Sequence, residues 1–153
     1  MCSTSFLKVL GRLRLGPFLI ASVLALAACE RSNPEGELRA TIAAMAQAVE
    51  KREPDRLLAA LAEDFTRESG AFDKQDARRM LAGAMLRNER IQLATTVTDV
   101  HVEGDRAAAR LRVIATGGAG LLPERGQTWD VSTAWRREAG EWKLFNAEWR
   151  EGL

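Results

Sequence analysis

Histidine and cysteine, which often carry metal or nucleophile chemistry, are nearly absent from this sequence of 153 residues. It contains one histidine, His101, and two cysteines, Cys2 and Cys29. A single imidazole cannot supply the histidine-rich ligand set of a metal site. A Cys–His nucleophile pair is also disfavoured, so we expect neither a metal nor a cofactor.

Acidic residues are missing from the first 29 positions. Lys8, Arg12 and Arg14 stand there without an acidic partner, and all 21 acidic residues lie at position 30 or later. Without residues 1–28 the formal net charge changes from +1 to −2. A domain so close to neutral lacks the basic footprint of a nucleic-acid-binding protein, so we expect no nucleic-acid partner.

The uncharged apolar segment PFLIASVLALAA, from Pro17 to Ala28, is too short to span a membrane. As a helix it would cover about 18 Å, whereas the hydrocarbon core of a bilayer is roughly 30 Å thick. Its length suits the apolar region of a secretion signal. Positive charges before it and small residues at its end complete that pattern.

The end of this segment, Leu26-Ala27-Ala28-Cys29, resembles the lipobox of bacterial lipoproteins. The resemblance implies cleavage before Cys29, a lipid on its thiol and a membrane as partner. The alternative is an ordinary secreted protein that is cleaved after an Ala-x-Ala-type site. Lipidation is favoured because Cys29 would be the only cysteine of the mature chain, and an unpaired thiol outside the cytoplasm needs an explanation.

The chain therefore divides into three segments. Residues 1–28 are the expected signal peptide, 29–36 the lipidated cysteine with a polar tether, and 37–153 a single domain. Glu30, directly after the cysteine, is not the aspartate associated with retention in the inner membrane. We therefore expect a lipid-anchored, exported protein, at the outer membrane facing the periplasm rather than at the inner membrane.

Three stretches of the domain show the apolar spacing of helices. The first helix ends near Arg52, and its apolar stripe is Leu38, Ile42, Met45 and Val49. The second helix starts at Pro54, and its apolar face is Leu57, Leu58, Leu61 and Phe65. The third has Asp73 as its N-cap and ends near Asn88, with these residues inward: Met80, Leu81, Ala84 and Met85.

After Arg90 the apolar residues alternate, which is typical of strands. The expected strands are 91–103, 106–116, about 127–137 and 141–150, with turns at Gly104-Asp105 and Ala139-Gly140. Three helices followed by four long strands predict an α+β domain. In it three N-terminal helices pack on an antiparallel sheet of four strands or slightly more.

Three stretches in this order resemble the nuclear-transport-factor-2-like superfamily, which includes ketosteroid isomerase and polyketide cyclases. They are 57–65 (LLAALAEDF), 102–107 (VEGDRA) and 135–144 (WRREAGEWKL), and with their spacing they span nearly all of residues 37–150. The resemblance implies a cone-shaped fold in which a curved sheet wraps a pocket closed by helices. Function does not follow from such a fold, because the site must be argued from its own residues.

Three residues are candidate general bases. Asp99 and His101 are two apart on a strand and leave the same face, but the alternating Val100 and Val102 place that face toward solvent. Asp64 lies near the expected end of the second helix, where a capping or ion-pair role is favoured. We therefore predict no catalytic residue.

Four tryptophans in the last hairpin are the candidates for lining a pocket, and their placement depends on strand register. A two-residue loop at Ala139-Gly140 pairs Trp135 with Leu144 and turns Asn146 into the cone. One more loop residue pairs Trp135 with Phe145 and Val131 with Trp149, and turns Asn146 away. The sequence leaves both registers open. The predicted pocket residues are Trp129, Trp135, Trp142 and Asn146.

Three functions remain open for the domain. The favoured one is a non-catalytic envelope domain that binds a small apolar ligand or another envelope protein. The second is a small isomerase- or cyclase-like enzyme that uses a pocket carboxylate or His101 as base. The third is a structural subunit of an envelope assembly that forms a homodimer through an exposed, apolar sheet face.

Overall fold

The fold is known from a computed structural model, which describes residues 33–67, 70–118 and 125–152. The predicted signal peptide and Cys29 lie outside the described residues. The described helices are α1 (Pro34–Glu50), α2 (Pro54–Ala59) and α3 (Lys74–Arg87). The described strands are β1 (Leu61–Arg67), β2 (Phe72–Asp73), β3 (Arg90–Glu103), β4 (Arg106–Gly118), β5 (Arg125–Glu138) and β6 (Glu141–Glu151).

These strands form one curved, mixed sheet of six strands in the order β2-β1-β6-β5-β4-β3. The four long strands are antiparallel neighbours, as predicted. β1 instead runs parallel to β6, with Leu61 opposite Leu144 and Thr66 opposite Asn146. The predicted α+β class is confirmed. The purely antiparallel sheet was wrong, and so was the order of three helices first, because α3 follows β1 and β2.

The second helix is much shorter than predicted. It ends at Ala59, and the segment that was expected to continue it, Leu61–Arg67, forms β1. Leu61 and Phe65 are buried, as an apolar helix face would require, but they are buried by strand pairing. The backbone N–H of Leu144 donates to the carbonyl of Ala60 at 2.9 Å, where β1 meets β6. This contact with a distant strand overrides a helical preference that is local and weak.

The first helix confirms its predicted apolar stripe. Leu38 and Ile42 are buried, and Met45 and Val49 pack against the same core. The helix begins earlier than expected, because Pro34 occupies its first turn and the side chain of Asn33 accepts a hydrogen bond from the Gly36 N–H at 2.9 Å. Residues 34–36, which we assigned to the tether, are therefore helical.

The third helix has the predicted ends. Asp73 caps it in a reciprocal capping box with Asp76, and Asn88 is its C-cap. Leu81 and Met85 are buried as predicted. Met80 was predicted to point inward, but its side chain is 49% exposed.

A β-bulge in β6 reconciles the two candidate hairpin registers. Near the turn Trp135 lies opposite Leu144, as in the first register. Beyond a register shift between Ala134 and Trp135, Val131 lies opposite Trp149, as in the second. The extra residue changes which side chains of β6 face the core, so that residues on both sides of the bulge are buried there. Each register therefore holds on one side of the bulge, and the predicted pairing of Trp135 with Phe145 does not occur.

Candidate functional site

The inner face of the sheet and the helices α1 and α2 line an apolar cavity of about 180 Å³ that is open to solvent on one side, and we call it the interior cavity. Its wall is made of apolar side chains apart from Thr95 and Thr133. No titratable side chain belongs to its lining among the described residues. The helix side is Ile42, Met45, Ala46, Val49 and Leu57, and the sheet side is Leu93, Thr95, Leu111, Val113, Val131, Thr133, Trp135, Leu144 and Ala147.

The polar groups of this wall that are buried bind one another. The Thr133 hydroxyl donates to the carbonyl of Ala109 at 2.9 Å and accepts from the indole N–H of Trp135 at 2.8 Å. Trp135 is only 1% exposed. Because both groups are satisfied within the fold, they present carbon rather than free donors to the cavity.

A second space of about 400 Å³ lies beside the same helices, and we call it the helix groove. It is bordered by α1, α2 and the start of β6, and Trp142 forms part of its wall. The guanidinium carbon of Arg137 lies 4.6 Å from the centroid of the Trp142 ring, and the guanidinium pairs with Glu37. Met45 lines both the helix groove and the interior cavity.

None of the three candidate bases lines the interior cavity. Asp64 is exposed on β1, and its two carboxylate oxygens accept hydrogen bonds from Arg136 at 2.6 and 2.9 Å. Hydrogen bonding to that guanidinium lowers the pKa of Asp64, which keeps the carboxylate ionised and engaged. A carboxylate in this state is a weak proton acceptor.

Asp99 and His101 lie on the outer face of β3. Both are exposed, whereas Val100 and Val102 pack toward the core, as their alternation predicted. Their neighbours across the strand pair are Arg110 and Ala108. The sheet therefore separates both side chains from the interior cavity.

The four predicted pocket residues do not converge on one space. Trp135 lines the interior cavity, whereas Trp142 lines the helix groove. Trp129 lines a separate cleft of about 270 Å³ beside the end of α3. Asn146 donates its side-chain N–H to the carbonyl of Thr66 at 3.1 Å and so ties β6 to β1.

Sequence reasoning missed the part that α1 plays in the cavity wall. The stripe of Ile42, Met45 and Val49 was recognised as a buried face but was not assigned to a pocket. The signal was available, because this stripe and the inward positions of β4 must face each other in a two-layer fold. Met45 borders both spaces, and residues of α2 line both as well. Because the length of α2 was wrongly predicted, this shared position could not be predicted either.

The outer face of the sheet carries charge. Arg110, Arg112, Asp130, Glu148 and Arg150 lie on β4, β5 and β6 there, and Arg112 pairs with Asp130 at 3.1 Å. Ile114, on β4, is the exposed large apolar side chain of this face among the described residues.

No cluster of three or more histidine, cysteine, aspartate or glutamate side chains in the described ranges could hold a metal ion. No helix in the part of the chain that the structure describes is long and apolar enough to cross a membrane.

The sequence matches the SnoaL-like domain over residues 42–145, which is more than half of the chain. The chain therefore belongs to the SnoaL-like domain family. No curated protein matches the sequence.

Solved structures share the fold at low sequence identity. A putative dehydratase of the NTF2-like family from Streptomyces avermitilis has a TM-score of 0.65 and 19% identity, over 77% of this chain and 96% of that one. An NTF2-like protein of unknown function from Pseudomonas putida KT2440 has a TM-score of 0.63 and 21% identity, over 78% of this chain and 87% of that one. These likenesses confirm the predicted nuclear-transport-factor-2-like fold.

The Bdellovibrio bacteriovorus protein Bd1075 is also similar, with a TM-score of 0.67 and 11% identity over 77% of this chain. The alignment covers 40% of that protein, so this chain spans less than half of its length. At these identities the likeness establishes the fold and not the activity.

Proposed function

We propose that the protein is a lipid-anchored envelope lipoprotein whose SnoaL-like domain binds a small apolar ligand in the interior cavity without transforming it. The observation that carries the proposal is the lining of that cavity. Its side chains are apolar apart from two threonines, and the Thr133 hydroxyl is already bonded within the wall. Such a wall favours burial of apolar surface, at about 25 cal/mol per Å².

The positions of the candidate bases support a binding role over the isomerase- or cyclase-like alternative. A general base must lie within hydrogen-bond reach of the proton that it removes. Asp64 is held by Arg136 on the surface, and Asp99 and His101 occupy the opposite face of the sheet. A substrate in the interior cavity would meet none of these side chains.

The proposed anchor fits the start of the domain. Five peptide links separate Cys29 from Pro34, the first residue of α1. Each residue spans at most about 3.6 Å, so these links reach no further than about 18 Å. A lipid on Cys29 would therefore hold the start of α1 near a membrane surface. Glu37, which borders the helix groove, lies in the first turn of that helix.

A stability measurement with benzene tests the binding proposal. A dry apolar cavity of about 150 Å³ is large enough to bind benzene. We expect saturating benzene to raise the melting temperature of the protein, because a ligand that binds only the folded state stabilises it by mass action. Val113→Phe should abolish the effect by filling the cavity.

Ile114→Phe is the matched control, because the neighbouring Ile114 is 42% exposed and points away from the cavity. It should respond to benzene like the unaltered protein. An unaltered protein whose melting temperature does not respond to benzene contradicts the proposal. So does an equal response in the Val113→Phe variant.

A further inference from the structure

We infer that the interior cavity and the helix groove together bind one single-chain amphiphile with an uncharged polar head, and that Met45 is the movable partition between them. The acyl chain occupies the interior cavity and the head lies in the groove. This inference rests on the proposed function, and it adds the chemical class of the ligand and its path into the site.

The position of Met45 is the evidence that one ligand can occupy both spaces. Its side chain borders both spaces and is only partly buried, on the helix face that packs against the core. Methionine is unbranched, and rotation about its three side-chain bonds lets it change shape at little cost. The other residues of α1 that line the cavity, such as Ile42 and Val49, do not border the groove. Met45 is therefore the lining residue that the two spaces share among the described residues, and a change of its rotamer would join them.

The size of the two spaces supports a ligand that uses both. The interior cavity, at about 180 Å³, is smaller than the roughly 300–1,000 Å³ of typical ligand pockets, whereas cavity and groove together lie within that range. At the roughly 30 Å³ that a water-sized group takes in a liquid, the cavity holds about six methylene-sized groups. This volume suits a short acyl segment.

The charges of the groove point to an uncharged head. The lining contains two cationic and two anionic side chains, Arg56, Lys143, Glu37 and Glu141. Each already has a partner of opposite charge: Lys143 pairs with Glu141 at 2.8 Å, Arg56 with Glu53 at 3.2 Å, and Glu37 with Arg137. A charged head would have to break one of these pairs, whereas a hydroxyl or ester head would not.

Trp142 supplies an unused donor at the groove. Its side chain is 4% exposed, and its indole N–H is buried without a hydrogen-bond acceptor among the described residues. A buried donor without a partner is unfavourable, so an acceptor that reaches it is favoured. The carbonyl oxygen of an acyl ester is such an acceptor.

Photo-crosslinking in native membranes tests the inference on the full-length protein. The probes are two monooctanoylglycerols, one with a diazirine at the end of the acyl chain and one with a diazirine on the glycerol head. We expect the chain probe to label residues of the interior cavity such as Leu111 and Val131. We expect the head probe to label the segment around Trp142, which mass spectrometry of peptides resolves.

Met45→Phe tests the partition, with Met45→Leu and Met80→Phe as controls. The larger ring should reduce labelling of the cavity by the chain probe about tenfold, since overpacking a filled site is unfavourable. Met45→Leu keeps the volume, and Met80→Phe adds a ring at an exposed position of α3. Both controls should label like the unaltered protein. Cavity labelling that survives Met45→Phe overturns the inference.

Two further probes distinguish failure of this inference from failure of the proposed function. Octanoic acid with the same terminal diazirine should label the cavity less than the ester does, and stronger labelling by the acid contradicts an uncharged head. A small aromatic diazirine tests the cavity without any head. If it labels the cavity while neither glycerol probe does, the amphiphile is wrong and the proposed function stands. If it also fails to label the cavity, the proposed function fails too.

Discussion

The hydroxyl of Thr133 shows how one side chain keeps the interior cavity apolar. It accepts the indole N–H of Trp135 and donates to Ala109, and in this way three polar groups are satisfied without facing the cavity. The sequence alone does not reveal this role, because a threonine in an alternating strand has the same pattern whether it faces solvent or core. The interaction becomes visible only when the inner face of β5 is known.

Replacement of Thr133 by valine should therefore destabilise the protein. The substitution keeps the shape but leaves the Trp135 N–H without an acceptor, at a cost of about 1–3 kcal/mol. Chemical denaturation monitored by tryptophan fluorescence measures the change in the free energy of unfolding. Ser132→Ala, at an exposed position of the same strand, should change it by less than about 0.5 kcal/mol. Equal effects of the two substitutions would show that the hydroxyl of Thr133 has no special role.

Among the elements, the ones with a regular local pattern were predictable and β1 was not. The stripe of α1, the cap at Asp73 and the four long strands follow from periodicity and capping chemistry within each segment. Leu58, Leu61 and Phe65 are spaced as on a helix, but pairing with β6 makes most of this segment a strand. Such pairing depends on residues that are about 80 positions away in the chain, beyond the reach of local patterns.

The bulge of β6 escaped prediction for a similar reason. Each of the two predicted registers, applied to the whole hairpin, matches only one end of it. The observed pairing needs one extra residue in β6, which lets the register change along the hairpin. At the bulge, Asn146 uses its side chain to bind the carbonyl of Thr66 in β1. The predicted pocket residue is therefore a link between two strands.

Replacement of Asn146 by alanine should loosen β1. Loss of one hydrogen bond, worth about 1 kcal/mol, should speed amide hydrogen exchange in Leu61–Arg67 by about fivefold. Exchange in β3 and β4, which lie on the other side of the sheet, should not change. Uniformly faster exchange across the sheet would show global destabilisation rather than release of β1.

For the whole molecule, the fold could be predicted from the sequence, whereas the lining of the site could not. The resemblance to the nuclear-transport-factor-2-like superfamily followed from the order of elements and the quoted stretches, and the SnoaL-like family match and the solved structures confirm it. The lining of the site did not follow, because it combines residues from two helices and four strands. The lipid anchor remains a prediction from the first 29 residues, and it complements a domain that offers an apolar cavity and a neutral groove.

Native mass spectrometry of the protein, extracted from its own membrane, tests this combination most directly, because one spectrum records covalent and non-covalent additions. We predict a chain that begins at Cys29, carries the mass of attached lipid on that residue, and retains a small apolar or amphiphilic molecule that dissociates on activation. Val113→Phe should keep the lipid and lose that molecule. A mature chain without lipid on Cys29 would contradict the anchor, and a lipidated chain that carries no bound molecule would contradict the ligand-binding function.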